Sequence, residues 1–228
     1  MLRIKTILLF LLFISCKENK QHVKNTTTEN QSAEVLVKLP EFENWKELYS
    51  DELVKNKFDE YLENGTTILA VYLNNKIAKQ KDSLLNMDFD DYALFFVIDK
   101  EQKRKIENSD LEKIFYEQTE KSAAEVLDFA DVINKALIDS TLIKAEKPYL
   151  LFANQNYENV YTAITITKPY KNDHNYIVLN TFNLMNINNH LVYGGYYLNY
   201  NGLESFNLVK KNNDIIISKF IKQNEKKP

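Results

Sequence analysis

Cysteine, glycine, proline and histidine are scarce in this sequence. The 228 residues contain one cysteine, four glycines, four prolines and three histidines. A single cysteine cannot form an internal disulfide, and so few glycines and prolines exclude collagen-like and proline-rich designs. The sequence also lacks the glycine-rich phosphate loop, the G-x-G-x-x-G fingerprint, the G-x-S-x-G elbow and the H-E-x-x-H zinc motif. We therefore expect no cofactor and no motif-based metal site.

Charged residues of both signs are mixed along the sequence. Basic residues number 29 and acidic residues 32, they are interspersed, and the formal net charge is −3. No basic patch is available to neutralise a phosphate backbone, so we expect no nucleic-acid partner. The composition, 44% hydrophobic and 12% aromatic, is that of a globular protein with a buried core.

The first residues have the features of an export signal. Arg3 and Lys5 give a positive start, an uncharged apolar run covers Ile7 to Ile14, and the small Ser15 precedes Cys16, the only cysteine. The run is shorter than the roughly 20 residues that a membrane-spanning helix needs. Two interpretations give Cys16 no role of its own: an ordinary signal peptide that is cleaved off, and an anchor that is not cleaved.

The segment Phe13-Ile14-Ser15-Cys16 resembles the lipobox of bacterial lipoproteins, with Phe13 where leucine is usual. The resemblance implies that residues 1–15 are removed and that the Cys16 thiol carries a lipid such as palmitate. In this family the lipid on the thiol is a diacylglyceryl group, and the new amino terminus is usually acylated as well, so the resemblance implies attachment to the membrane through this anchor. Lys17 and Glu18 stand where an inner-membrane lipoprotein would have aspartate. We therefore expect an outer-membrane lipoprotein of a Gram-negative cell envelope, facing the periplasm or the cell surface.

The remaining sequence divides into a tether and a folded part. Residues 16–38 comprise the lipidated cysteine and a polar segment with no apolar periodicity, which we expect to be a disordered tether. A mixed helix and strand region is predicted over 39–147, and an antiparallel sheet with a terminal helix over 148–223. We expect 39–223 to form one compact domain.

Before Pro148 the apolar pattern mixes helices with two strands. Trp45, Leu48, Leu53 and Phe58 recur at mostly helical intervals and predict a first helix with Trp45 in it. The runs "TTILAVYLNN" and "DYALFFVID" predict strands. Further helices are predicted over 76–85, over 109–116 with Ser109 as a cap, and over 122–137 with Ser122 and Glu125 in capping-box register.

After Pro148 the sequence predicts an antiparallel meander. Its strands are predicted at 149–153, 160–167, 175–183 and 191–200, separated by turn-forming segments such as "KPYKNDH" and "NINNH". In the last segment an apolar stripe at helical spacing, from Leu203 to Ile221, predicts a helix packed on the sheet, with Leu208 and Ile215 off the stripe. The predicted fold class is α+β.

Few residues are candidates for chemistry. Asp88, Asp90 and Asp91 form an acidic group in "MDFDDY" that could bind a cation or act as an acid-base pair. His174 and His190 could form a metal or general-base site with Asp173 if neighbouring loops brought them together. Solvated turn residues and helix caps are the simpler interpretation of both groups.

Tyrosines offer a candidate binding surface. In "YGGYYLNY" strand alternation places Tyr193 and Tyr197 on one face and Tyr196 and Tyr200 on the other, so whichever face is solvated exposes tyrosines beside a glycine. Such a face can stack on a sugar ring or dock a partner. Packing of the tyrosines within the sheet is the simpler alternative.

Two functional hypotheses follow from the sequence. In the first, the protein is an envelope lipoprotein and a non-catalytic module that binds an envelope protein or a glycan. In the second, it is a small tethered hydrolase or metal-dependent enzyme that uses Asp88 and Asp90 or His174 and His190. The absence of a nucleophile motif favours the first, so we predict that the protein is not an enzyme.

Overall fold

The protein has an α+β fold built on one antiparallel sheet of seven strands. The computed structural model describes residues 37–60, 62, 64–80, 91–122, 149–167 and 177–225. The strands are β1 (Trp45–Glu47), β2 (Thr66–Asn74), β3 (Tyr92–Ile98), β4 (Tyr149–Tyr157), β5 (Val160–Thr167), β6 (Val178–Ile187) and β7 (His190–Asn199). Their spatial order is β1-β2-β3-β7-β6-β5-β4. The fold class predicted from the sequence is therefore confirmed.

Four helices are described in these ranges, and they cover the sheet or its ends. They are α1 (Glu52–Asp59), α2 (Asn75–Ala78), α3 (Asn108–Ser122) and α4 (Leu203–Asn224). The last of these is the predicted terminal helix, and it packs on β6 and β7. None of the helices in the described ranges is both long enough and apolar enough to cross a membrane.

The sheet consists of two meanders that meet where β3 pairs with β7. The strands β1 to β3 form one meander and β4 to β7 the other, and every pairing is antiparallel. The predicted regions 39–147 and 148–223 thus contribute strands to the same sheet. One hydrogen-bonded ladder crosses the boundary that the sequence suggested at Pro148.

Glycines allow the two meanders to approach closely at this joint. Phe95 of β3 pairs with Gly194 of β7. A Cβ atom at Gly194 would lie 3.1 Å from the Phe95 ring and 3.1 Å from the Met185 side chain. The Phe95 ring is stacked on Phe220 of α4, with ring centroids 4.2 Å apart. The bare backbone of Gly194 therefore leaves the space in which Phe95 connects β3 to the helix.

Both faces of the sheet are covered by apolar cores. One core lies between the sheet and α4 and includes Trp45, Tyr196 and Phe220. The other lies on the opposite face and includes Phe58 of α1 and Phe115 of α3. Because the sheet is buried on both sides, β3 carries apolar or aromatic residues at every position, and all seven are buried.

The beginning of the folded part differs from its prediction. Trp45 lies in strand β1 and pairs with Asn74 of β2, not in a helix. The helix α1 begins only after Asp51, whose side chain accepts a hydrogen bond from the Leu53 amide. The apolar spacing from Trp45 to Phe58 fits a helix, but the cap at Asp51 and the pairing with β2 divide the segment into a strand and a helix.

Other predicted elements are confirmed with shifted bounds. The two strands predicted before Pro148 are β2 and β3. The strand predicted at 149–153 continues to Tyr157 as β4, and the turn in "NINNH" is confined to Asn188 and Asn189. The helix predicted over 109–116 is longer and includes Ser122, which is helical instead of an N-cap. The remainder of the helix predicted over 122–137 lies outside the described residues.

A buried polar network underlies α4. Asn183 of β6 and Asn213 of α4 exchange hydrogen bonds, with Nδ2 to Oδ1 distances of 2.8 Å and 3.1 Å. The Asn183 oxygen also accepts from the Thr162 hydroxyl at 2.7 Å, and the Thr181 hydroxyl donates to Asn213 at 2.7 Å. All four side chains are buried, and the mutual bonds satisfy polar atoms that water cannot reach. The network holds α4 in register with β6, because directional hydrogen bonds tolerate little displacement of either element.

We expect Asn183→Ala to lower the free energy of unfolding by about 3 kcal/mol, because it leaves buried partners without a bond. The same loss is expected for Asn213→Ala, and the double variant should lose about 1 to 2 kcal/mol less than the sum of the single variants. Urea unfolding followed by fluorescence of Trp45, the only tryptophan, measures each value.

The matched control is Lys211→Ala, at an exposed position of the same helix, which should change stability by less than about 0.5 kcal/mol. Strict additivity of the two asparagine substitutions would show that the network is not a cooperative unit.

Candidate functional site

A polar cleft lies at the end of the sheet that carries the short turns. We call this the turn end and define it by Ile98, the β4-β5 turn at Glu158 and Asn159, and the β6-β7 turn at Asn188 and Asn189. The cleft has a volume of about 440 Å³. The two turns, the beginning of α3 and the last turn of α4 line it. Four parts of the chain that are distant in sequence thus form one concave surface.

Asparagine is the main residue type in the lining. Six of the residues around the cleft are asparagines: Asn108, Asn159, Asn186, Asn188, Asn189 and Asn224. Each carboxamide offers an acceptor oxygen and two N–H donors without carrying a charge. The cleft can therefore form hydrogen bonds in both directions with a polar ligand.

The β6-β7 turn explains two of these asparagines. Asn188 and Asn189 have φ values of 54° and 68°, as in a two-residue type I′ hairpin turn. Asparagine tolerates this left-handed conformation better than most residues with a side chain. The backbone oxygen of Asn189 accepts from the Ile106 amide at 3.0 Å, so the segment before α3 supports the turn. Both carboxamides remain exposed to solvent.

Hydrogen bonds among asparagines hold the floor of the cleft. The Asn186 amide nitrogen Nδ2 donates to Asn108 Oδ1 at 2.8 Å, and Asn159 Nδ2 donates to the Asn186 backbone oxygen at 3.2 Å. Asn186 is 8% exposed, and its Oδ1 has no hydrogen-bond partner within the described part of the chain. The floor is therefore fixed, and one buried acceptor on it is unsatisfied.

The charged groups of the lining are acidic. Glu158 and Glu225 are exposed at the cleft, and no lysine or arginine lies among the lining residues. The carboxyl end of α4 also points its carbonyl groups toward this end of the sheet, which adds partial negative charge. The cleft is consequently a poor site for phosphate or any other anion.

The first described residues of the chain lie beside the cleft. The Lys38 backbone amide donates to Asn224 Oδ1 at 2.7 Å, and Asn224 Nδ2 donates back to the Lys38 oxygen at 3.0 Å. Asn224 itself lines the cleft. The point at which the predicted tether joins the folded part is therefore at the turn end.

The predicted tyrosine surface is not exposed. Tyr193, Tyr196 and Tyr197 are 1%, 0% and 7% exposed, so the prediction of a solvated tyrosine face is wrong for these three residues. Tyr197 stacks on Tyr92 with ring centroids 4.5 Å apart, and Tyr193 stacks on Phe96 at 5.1 Å. The alternation was predicted correctly, but cores on both faces of the sheet leave neither face to solvent. The simpler alternative, in which these tyrosines pack in the core of the sheet, is therefore the correct one.

Tyr200 is only partly buried and lies one residue beyond β7. Its ring packs against the core under α4, and its hydroxyl has no hydrogen-bond partner among the residues that the structure describes. Burial raises the pKa of this hydroxyl above its ordinary value of 10.0. Tyr200 lies at the sheet end opposite the cleft and is not part of it.

Most of the predicted chemical groups fall outside the described residues. These are Cys16, Asp88, Asp90, Asp173 and His174. His190 is described and is the first residue of β7, where it pairs with Ile187 at the turn end. Val178, the described residue of β6 nearest to segment 168–176, lies roughly 30 Å from Ile187 along the strand. The end of β6 that adjoins the segment is thus the end opposite His190, and Asp173 and His174 themselves lie outside the described residues.

Asp91 of the acidic group is a structural residue. It has a φ value of 60°, and its carboxylate accepts hydrogen bonds from three side chains. The donors are Trp45 Nε1 at 2.8 Å, Asn74 Nδ2 at 2.7 Å and the Tyr196 hydroxyl at 2.6 Å. These bonds connect β1, β2 and β7 at the end of the sheet opposite the cleft. With three donors already bound, the carboxylate is an unsuitable ligand for a cation.

No candidate metal centre is found within the described ranges. There, histidine, cysteine, aspartate and glutamate side chains form no group of three or more that could hold an ion. The carboxamides of the cleft are neutral oxygen and nitrogen groups, which by themselves bind transition metals poorly.

The cleft was missed at the sequence level. Its signal is the recurrence of asparagine in "YENV", which we did not consider, and in "NINNH", which we interpreted only as turn chemistry. Turn chemistry does explain the conformation of these residues. It does not predict that two turns and two helix ends meet, because that depends on the order of strands in the sheet.

Comparisons with known proteins assign no family to the chain: no protein-family model, no curated protein and no solved structure matches it. Function must therefore be inferred from the residues of this chain and their geometry.

Glu101 provides a pH-dependent test of the tyrosine packing. The buried Tyr193 hydroxyl donates to Glu101 and accepts from Gln118 Nε2 at 3.0 Å. Burial raises the pKa of Glu101 above its ordinary value of 4.5, and the Tyr193 hydrogen bond, Lys100 and Arg104 only partly oppose this shift. Glu101 therefore binds its proton more tightly in the folded protein than in the unfolded chain.

We expect the free energy of unfolding to fall as the pH rises from 4.5 through the raised pKa of Glu101 in the folded protein. The reason is that the unfolded chain releases this proton at a lower pH than the folded protein does. Glu101→Gln cannot ionise and should gain stability relative to the wild type between about pH 4 and pH 7 in urea unfolding. Glu107→Gln, at an exposed carboxyl before α3, should show no such gain. A constant difference between E101Q and the wild type across this range would contradict the assignment.

Proposed function

We propose that the protein is an outer-membrane lipoprotein of a bacterial cell envelope and that its folded part is a non-catalytic binding module. The Cys16 thiol carries the lipid, and the cleft at the turn end is the binding surface. The observation that carries the binding role is the lining of this cleft, which has six asparagines, three of them bonded to one another in a fixed floor. The lipobox segment 13–16 carries the anchoring role.

The chemistry of the lining supports binding over catalysis. Carboxamides form hydrogen bonds but do not exchange protons with a substrate at neutral pH, and they are weak nucleophiles. The two carboxylates of the cleft, on Glu158 and Glu225, are both exposed to solvent. A concave surface with convergent donors and acceptors is the usual form of a ligand site.

The position of the cleft supports a role close to the membrane. Lys38, the second of the described residues, is bonded to a residue of the cleft. Roughly 20 residues separate Cys16 from this point, which limits the distance between the membrane and the cleft to about 70 Å. A ligand that belongs to the envelope itself is within that distance.

Membrane attachment is tested by Cys16→Ala. Each buried methylene of an acyl chain contributes about 0.8 kcal/mol to membrane binding, so two or three chains hold a protein firmly on a bilayer. Alanine has no thiol to which the lipid could be attached. We expect C16A to lose incorporation of labelled palmitate and to leave the membrane fraction. Ser15→Ala keeps a small residue before the cysteine and should remain lipidated. A C16A protein that stays fully membrane-bound would overturn the anchoring part of the proposal.

The binding role is tested by hydrogen-deuterium exchange of the full chain in detergent, with and without a solubilised envelope fraction. Bound ligand should slow exchange of the backbone amides around Asn159 and Asn188, because it excludes water from the two turns. Amides near Asn201, at the opposite end of the sheet, serve as the internal control. Unchanged exchange at both turns would overturn the cleft as the binding surface.

A further inference from the structure

The donor and acceptor pattern of the cleft limits its ligand chemistry. The carboxamides of Asn188 and Asn189 are exposed, and each can donate and accept at the same time. Hydroxyl groups also donate and accept through one atom, so a ligand with several hydroxyls can pair with neighbouring carboxamides without leaving groups unpaired. The Asn186 side chain is buried beneath these groups, so the exposed carboxamides of the turn are the ones that face a ligand.

Charge excludes the most common small anions. The lining contains Glu158 and Glu225 and no basic side chain, and the carboxyl end of α4 adds partial negative charge. A phosphate or a carboxylate ligand would meet only like charge here. A neutral ligand suffers no such repulsion, and carboxylates accept hydrogen bonds from its hydroxyl groups.

Tyr157 adds an aromatic surface beside the polar groups. It is the last residue of β4, is half-buried, and lines the cleft next to Glu158. A tyrosine ring offers apolar area with a polar tip, which matches a sugar ring that is apolar on its face and polar at its edge. Aromatic area next to neutral donors and acceptors distinguishes this cleft from a site for a fully polar ion.

From these features we infer that the cleft binds an uncharged carbohydrate through the Asn188 and Asn189 carboxamides and the Tyr157 ring. This inference rests on the proposed binding function and adds the class of the ligand. A cationic peptide is the competing ligand for a cleft with two carboxylates, but the exposed neutral carboxamides of Asn188 and Asn189 beside an aromatic ring match a saccharide more fully.

The test is calorimetric titration of the full lipidated chain in detergent with maltotriose and with tri-N-acetylchitotriose. Trilysine and inorganic phosphate are titrated in parallel. The cleft variant is the double substitution N188G and N189G, which removes both carboxamides while glycine retains the left-handed turn. Y157L removes the aromatic ring, and N201A changes an exposed asparagine at the other end of the sheet.

We expect at least one saccharide to bind the wild type with a Kd of about 1 mM or tighter. The double glycine variant should weaken binding about tenfold and Y157L about fivefold, whereas N201A should leave it unchanged. Equal thermal midpoints of the wild type and the double glycine variant would show that the loss is not caused by unfolding.

Three results would overturn the inference. Neither saccharide binds, or binding is the same in the wild type and the double glycine variant, or trilysine or phosphate binds in a cleft-dependent way while the saccharides do not. In the last case the cleft remains a binding site and only its ligand class is wrong. Failure of the proposed function itself would appear separately, as unchanged hydrogen-deuterium exchange with the envelope fraction.

Discussion

The pairing of β3 with β7 is the interaction on which the rest of this structure depends. It joins two meanders into one sheet, and Gly194 opposite Phe95 allows the two strands and α4 to pack together. Without this joint each meander would expose one strand edge and the apolar faces beside it. With it, both faces of a continuous sheet are covered, and α4 reaches the turn end, where its last residues line the cleft.

Local sequence patterns predicted most elements of this fold. They failed where contacts between distant parts of the chain determine whether a residue is in a strand or is buried. Continuous apolar runs identified β2 and β3, and the helical stripe identified α4, with Leu208 and Ile215 exposed as expected and Leu203 exposed against expectation. Trp45 was assigned to a helix because its strand partner is Asn74, 29 positions away. The tyrosines of β7 were assigned to a solvated face because a local pattern does not show that a second layer covers it.

The candidate site could not be predicted for a similar reason. Asn159, Asn188 and Asn224 each have a local role, in a turn or at a helix end, and only the strand order brings them together. The polar residues of the structure thus fall into two groups. Asn183 and Asn213 are fully buried and bonded to each other, so they specify how α4 packs. Among the asparagines of the cleft, Asn188 and Asn189 are exposed, so their carboxamides can pair with a ligand.

The bonds between Lys38 and Asn224 would have a mechanical consequence if the protein is anchored at Cys16 as we propose. The N-terminal connection and the last turn of α4 meet at this pair, and the cleft lies beside it. If a ligand held in the cleft is pulled away from the membrane, tension enters and leaves the domain at the same end. The load path is then short and bypasses the strand ladders and the joint between β3 and β7. A tethered domain arranged in this way can bear force while its sheet remains unstretched.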